Sequence, residues 1–336
     1  MISIFAFSKK GMETARRVAL SLGEAYALYA AERIAEGEFS PVPKPSSEFY
    51  RERFFSDGAL IFVSSCGIAV RSIAPFIVSK TSDPAVIAID ETGRFAVSLL
   101  SGHIGGANAL ARRIAEAIGA EPVITTATDV NGRFSVDSWA ETHGFAISDM
   151  GMAKKVSAAI LEGDVPVKSD LPITGELPAG LKFGEGETGV YLTYRTDTPF
   201  PNTLRLVPKC LHIGIGCRRG ISKEAIENAA DRVFSDNGLD MRAIKSAASI
   251  DIKSGEAGLI EFCRGAGLPI SFYSAERLNG LRGEFSSSDF VKSVAGTDCV
   301  SERAAMMGAD ELIVKKTAMD GVTIAVSLAK TEVIFG

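Results

Sequence analysis

The sequence predicts an α/β protein: two parallel-sheet-based α/β domains joined by a small middle α+β module. Three observations predict it. Short β-branched runs alternate with amphipathic helical stretches, the rhythm of a parallel sheet covered by helices. The chain has 336 residues, which suits roughly two domains of about 150 residues each. The rhythm lapses between residues 145 and 207, where turns rich in Gly, Pro and Thr take over, and then resumes. The expected division is 1–144, 145–207 and 208–336.

Ile2 to Phe7 reads as a buried strand, and Gly11 to Leu22 as a helix with Ala15, Val18, Ala19 and Leu22 on one face. Leu60 to Ser64 is a second strand, followed by a helix near Ile68 to Phe76. Ala85 to Asp90 and Phe95 to Leu99 flank the turn Glu91-Thr92-Gly93-Arg94, the pattern of a hairpin. A helix over Ala107 to Ile118, a strand over Pro122 to Thr125 and the loop TATDVNG complete the first domain. The middle module holds a helix, Ala153 to Glu162, and strands at Val165 to Val167 and Gly189 to Tyr194. The last domain opens with a strand at Leu211 to Gly216 and a helix capped by Ser222. The segments 244–250, 256–263, 269–273 and 300–307 continue the alternation, and strands over 311–315 and 322–327 close it.

Composition narrows the function. Hydrophobic residues make up 46% and charged residues 23%, which excludes disorder and disulfide-stapled mini-scaffolds. A net charge of −5 argues against general affinity for nucleic acid. The cysteines at 66, 210, 217, 263 and 299 form no CxxC, and the three histidines at 103, 143 and 212 add no zinc spacing. Reduced, mostly buried thiols are therefore expected. The N-terminus starts apolar and turns basic, the reverse of a secretory signal. No apolar run approaches the ~20 residues of a membrane span. A cytoplasmic protein is the expectation.

In parallel α/β sheets, ligands bind outside the carboxyl ends of strands, and four loops there draw attention. Ser64-Ser65-Cys66-Gly67-Ile68-Ala69-Val70-Arg71 offers open backbone N–H groups at Ser65 and Gly67, and a guanidinium at Arg71 for a carboxylate. Equally, it reads as a tight turn with a surface Arg. In Ser101-Gly102-His103-Ile104-Gly105-Gly106-Ala107-Asn108, glycines allow close approach and His103 is suited to general-base work near neutral pH. A structural, hydrogen-bonding His is the alternative. Thr125-Thr126-Ala127-Thr128-Asp129-Val130-Asn131-Gly132 gathers hydroxyls around Asp129, either for chemistry or for an Asx-type turn. Gly214-Ile215-Gly216-Cys217-Arg218-Arg219-Gly220 invites a dinucleotide reading, but its spacing is GxGxxxG, and paired arginines suit a multiply charged anion better.

Two of these loops stand in the stretch DPAVIAIDETGRFAVSLLSGHIGGANALARRIAEAIGAEPVITTATDVNGRFSVDSWA, which strongly resembles the N-terminal part of the CbiG family. HIGIGCRRGIS, with SIDIKSGEAGLIEFC and VSERAAMMGA, resembles that family's C-terminal domain, which also occurs separately as the CobE type. Residues 145–207 match only in position and approximate length.

The resemblance implies a cobalt-precorrin-5A hydrolase of cobalamin synthesis. Such an enzyme opens the δ-lactone of a cobalt-bound contracted tetrapyrrole and releases acetaldehyde, giving cobalt-precorrin-5B. It also implies no resident cofactor or protein-bound metal, because the cobalt belongs to the substrate. Partners other than that tetrapyrrole are left open: a homodimer, or transient contact with other enzymes of the pathway, but neither nucleic acid nor membrane.

Lactone opening needs a base and oxyanion donors. His103 is the expected base, with Asp129 orienting it or acting as second base. Gly105 and Gly106 are expected to offer N–H groups to the oxyanion. Ser65, Gly67, Arg71, Ser101, Gly102, Gly105, Gly106, Asn108, Thr126, Thr128, Cys217, Arg218 and Arg219 are the expected substrate-binding residues. Two other readings stay open at this point: a non-catalytic tetrapyrrole carrier, and a dinucleotide-dependent oxidoreductase.

Overall fold

The computed structural model describes residues 1–79, 82–103 and 105–335, so Ile104 of the glycine-rich loop lies outside the described residues. The chain divides into two compact units, Met1–Glu141 and Thr142–Gly336.

The first unit contains β1 (Ile2–Ala6), α1 (Lys9–Ser21), β2 (Tyr26–Ala30), β3 (Ser40–Pro41), α2 (Ser46–Ser56), β4 (Ala59–Val63) and α3 (Cys66–Ile73). It continues with β5 (Ala85–Ile89), β6 (Phe95–Leu100), α4 (Ala107–Ile118), β7 (Glu121–Val123), α5 (Ala127–Val130) and α6 (Val136–Thr142), whose last residue falls past the division. The seven strands form one sheet in the order β3-β2-β1-β4-β5-β6-β7. Alternate residues build its two faces. Ile2, Ile4, Ile61 and Ile87 pack with Met12, Val18, Ala111 and Ile114 of α1 and α4. On the other face Phe5, Leu60, Phe62 and Val86 pack with Tyr50, Phe54, Ala69 and Ile73 of α2 and α3. Phe5 and Phe62 stack at 4.9 Å, and full burial of each such side chain stabilises the unit by roughly 1.5–3 kcal/mol.

All neighbouring strands in this sheet run parallel except β5 and β6, the expected hairpin. That single reversal has a topological consequence. The carboxyl ends of β1, β4 and β5 gather at one edge, whereas those of β6 and β7 lie at the opposite edge.

The second unit carries two main sheets. The first uses β8 (Ala146–Ile147), β9 (Val165–Ser169), β11 (Leu181–Phe183), β12 (Thr188–Leu192) and β13 (Asn202–Val207) in the order β11-β9-β12-β13-β8. Only the β13–β8 pairing is antiparallel, and α7 (Met150–Glu162) buries Ala153, Val156 and Ile160. The second uses β14 (Leu211–Cys217), β15 (Ile244–Ile250), β16 (Ile270–Tyr273), β17 (Glu311–Met319) and β18 (Val322–Leu328), in the order β16-β15-β14-β18-β17. The helices here are α8 (Lys223–Asp236), α9 (Ala257–Gly265), α10 (Ala275–Asn279), α11 (Asp289–Ala295) and α12 (Val300–Ala305). Ser222 caps α8 by accepting from the N–H of Ala225, as its sequence position predicts. The short strand β10 (Ile173–Thr174) pairs with β19 (Val333–Ile334).

Asp240 joins the two sheets of this unit. Its carboxylate accepts from Arg205 Nη1 at 2.5 Å and from Arg242 Nη2 at 2.6 Å. Arg242 also donates to the Ser148 carbonyl at 3.1 Å. Among the described residues no helix is long and apolar enough to cross a membrane. The five cysteines are free; Cys210, Cys263 and Cys299 are buried, Cys217 is half-buried and Cys66 is exposed.

Candidate active site

The glycine-rich loop leaves β6 through Ser101, which adopts the left-handed conformation at φ 56°. Its hydroxyl is buried without a partner among the described residues. The glycines that follow are needed for close packing. A Cβ on Gly105 would lie 2.4 Å from Ser101 Cβ, and one on Gly102 would lie 2.7 Å from Asn108 Oδ1. Gly106, at φ 74°, sits in the N-cap position of α4. Its N–H donates to the His103 carbonyl at 2.9 Å, closing the turn. That bond corrects the expectation that Gly106 donates to an oxyanion, since its one proton is already engaged.

The second loop is not wholly irregular. Ala127–Val130 form the single turn α5, with Asp129 inside it, and this brings Asp129 against His103. His103 Nε2 lies 2.8 Å from Asp129 Oδ2, and His103 Nδ1 lies 3.1 Å from Asp137 Oδ1. Thr128 Oγ1 is 3.4 Å from Nε2 and Ser135 Oγ is 3.2 Å from Nδ1. Asp129 also accepts from Asn108 Nδ2 at 3.0 Å and Arg112 Nη2 at 2.9 Å. Asn108 further donates to Thr126 Oγ1 at 2.9 Å. Asn108, Thr126 and Thr128 thus form the hydrogen-bonded surround of Asp129 and His103.

The electrostatics follow from this geometry. The hydrogen bond to Asp137 raises the His103 pKa; burial opposes it, and Asp129 adds a second upward push. Burial acting alone would raise the pKa of Asp129, but hydrogen bonds from His103 and Arg112 hold it below the usual carboxylate range. The arrangement is an imidazole ring between two carboxylates, with both ring nitrogens engaged. Sequence reasoning missed Asp137, Ser135 and Arg112. Asp137 stands in plain view in the segment Arg133-Phe134-Ser135-Val136-Asp137, but nothing in its spacing ties it to His103 before α6 folds back.

Ser65, Gly67 and Arg71 do not join this cluster. They follow β4, whose carboxyl end lies at the other edge of the sheet because β6 is reversed. Arg71 turns back along its own helix, Nη1 donating to the Gly67 carbonyl at 3.1 Å. Ser65 makes no side-chain cap bond.

Cys217, Arg218 and Arg219 lie in the second unit, on the wall of a cavity of about 830 Å³ at the carboxyl ends of β14 and β15. Ile250, Val291 and Val300 give the cavity an apolar lining, and Lys253 and Lys316 join the two arginines as cations. Its size falls in the range of about 300–1,000 Å³ that ligand sites occupy. Glu256 anchors the arginine loop by accepting from the Gly220 N–H at 2.7 Å. Burial pushes the Cys217 thiol up, with Lys253 opposing and Glu256 adding, so the thiol is a poor nucleophile at neutral pH.

Gly214 and Gly216 lie inside β14 rather than in a phosphate-binding turn. A Cβ on Gly214 would lie 1.8 Å from the Ser301 carbonyl oxygen, so this glycine is what lets α12 cross the strand. The dinucleotide reading loses its physical basis.

Residues 48–129 match the family described as Cobalamin synthesis G N-terminal, and residues 211–327 the family described as Cobalamin synthesis G C-terminus. The chain is 34% identical over 345 residues to the cobalt-precorrin-5A hydrolase of Salmonella typhimurium, covering 98% of this chain and 97% of that protein. The chain belongs to the CbiG family. The cobalt-precorrin-5A hydrolase of Priestia megaterium is 35% identical over 298 residues, covering 82% of this CbiG-family chain and 79% of the relative. Protein CobE of a Sinorhizobium species is 28% identical over 121 residues, covering 35% of this chain and 79% of that protein.

Proposed function

We infer that this chain hydrolyses cobalt-precorrin-5A, opening its lactone and releasing acetaldehyde. The observation that carries the reading is the near-full-length similarity to the Salmonella typhimurium enzyme of that name. The His103–Asp129 pair is the proton-transfer device. Water attack on the lactone carbonyl gives up a proton, the departing alkoxide takes one back, and expulsion of the two-carbon fragment removes it again. A donor–acceptor pair held at 2.8 Å can serve all three transfers. The cavity of the second unit carries Arg218, Arg219 and Lys316 on its wall, counter-charges that suit the carboxylates of a tetrapyrrole.

In this reading cobalt arrives within the substrate, and the protein brings no metal or redox cofactor of its own. The free cysteines suit a reducing cytoplasm. Anaerobic incubation with cobalt-precorrin-5A should release one acetaldehyde per substrate, and prior dialysis against a chelator should leave the rate unchanged. Tight binding with the lactone intact would overturn the reading in favour of a carrier.

A further inference from the structure

A histidine acting as base in a simple carboxylate–histidine pair keeps one ring nitrogen for the substrate. His103 does not: Nε2 faces Asp129 at 2.8 Å and Nδ1 faces Asp137 at 3.1 Å. The two carboxylates are not equivalent. The Asp137 side chain is 11% exposed, whereas that of Asp129 is 21% exposed and abuts Arg112, itself 55% exposed. Asp137 is also held from two sides, by Ser135 Oγ at 3.0 Å and the Ser138 N–H at 3.1 Å.

We propose that Asp137 is a positioning residue: by holding Nδ1 of His103 it turns the Nε2 edge onto Asp129 and makes Asp129 the carboxylate through which protons pass to and from substrate. The proposal rests on the hydrolase reading and deepens it, because with both ring nitrogens of His103 engaged the more exposed Asp129 is the member of the pair left to meet substrate. The proton balance closes. As water oxygen bonds to the lactone carbonyl carbon, one water proton passes to Asp129; the other stays on the new carboxyl group. Asp129 returns its proton to the alkoxide oxygen as the ring C–O bond breaks. It then takes that hydroxyl proton while the carbon–carbon bond breaks; the acetaldehyde C=O forms, and the electron pair remains on the macrocycle. Charged groups around His103 among the described residues include Asp129 on α5 and Asp137 on α6, with Arg112 of α4 reaching it through Asp129 and Glu141 through Asp137.

The test uses full-length Asp137→Asn and Ser135→Ala, read by ring-nitrogen NMR of the three histidines and by the pH profile of kcat. The Asn variant should let His103 lose its proton about one pH unit lower and move the alkaline limb of kcat down with it. Its kcat at neutral pH should fall about tenfold or more, with KM changed less than about twofold. Ser135→Ala keeps the carboxylate but loosens it, and should give a smaller shift in the same direction, so the proposal stays testable if Asp137→Asn does not fold. Ring titration and pH profile unchanged in a folded variant would overturn it. The ring titration is read without substrate, so a wild-type protein that releases no acetaldehyde would sink the hydrolase reading separately.

Discussion

Two half-buried histidines, one in each unit, respond to their surroundings in opposite ways. His212 on β14 has Nδ1 at 2.7 Å from Ser246 Oγ, and its Nε2 is buried without a partner among the described residues. Burial lowers its pKa, and nearby Lys245 lowers it further. His103 is also half-buried, yet its pKa is raised, first by the hydrogen bond to Asp137 and then by Asp129. Burial by itself favours the neutral ring; a carboxylate on each nitrogen reverses the sign. His212 belongs to a sheet strand, and His103 to a site whose two carboxylates favour the charged ring. The contrast extends to what surrounds them. The first unit concentrates titratable side chains around one ring, whereas the second offers a wide apolar cavity with cations on its wall.

The largest expected effect tests whether the two rings differ in purpose. His103→Ala should lower kcat by roughly 10²- to 10⁴-fold, while His212→Gln should leave kcat unchanged. Steady-state acetaldehyde release measures both, and equal losses would erase the distinction. Next comes the cavity. Arg218→Ala combined with Arg219→Ala should raise KM about tenfold with kcat preserved, as expected for lost charge-assisted contacts to carboxylates. A fall in kcat instead would mean that these arginines take part in the chemistry.

The smallest effect is on stability, and here the signs separate the histidines. His103 is raised above its ordinary 6.5, so its contribution is fully present below pH 6.5 and is lost as pH climbs through the folded value. His212 is lowered below 6.5, so it favours the fold above pH 6.5 and loses that contribution as pH falls toward the folded value. Thermal unfolding across pH 5 to 9 should show His103→Gln costing most at the acid end. His212→Gln should flatten the acid-side loss. The same slope in both variants would contradict the assignment.

Much of the fold was legible because the local signals were strong. The helix Ala107–Ile118 presents Ala111, Ile114, Ala115 and Ile118 at helical spacing and stands where its periodicity places it. The segment 23–59 was not legible. Its strand Tyr26–Ala30 is short, and α2 buries only Tyr50 and Phe54, an i,i+4 pair within an otherwise charged and aromatic helix. Of the site, the nearness of the His103 and Asp129 loops was readable because both follow strands that lie side by side. The separation of Ser65, Gly67 and Arg71 from them was implicit in the expected hairpin, since a reversed strand carries its following loop to the other edge. Asp137 was not readable, because its contact with Nδ1 depends on how α6 folds back and not on any spacing. The glycines misled in the opposite direction. Gly102, Gly105 and Gly214 look like ligand-approach residues in sequence, but they are required by the close packing of Asn108, Ser101 and α12.

The most direct test of the whole account is a single-turnover anaerobic reaction of cobalt-precorrin-5A with excess protein, comparing wild type with Asp129→Asn and trapping acetaldehyde as it forms. The account predicts stoichiometric acetaldehyde from the wild type and a rate lower by about 10²-fold or more for the variant at comparable substrate binding. Wild-type speed from a folded Asp129→Asn protein would contradict it.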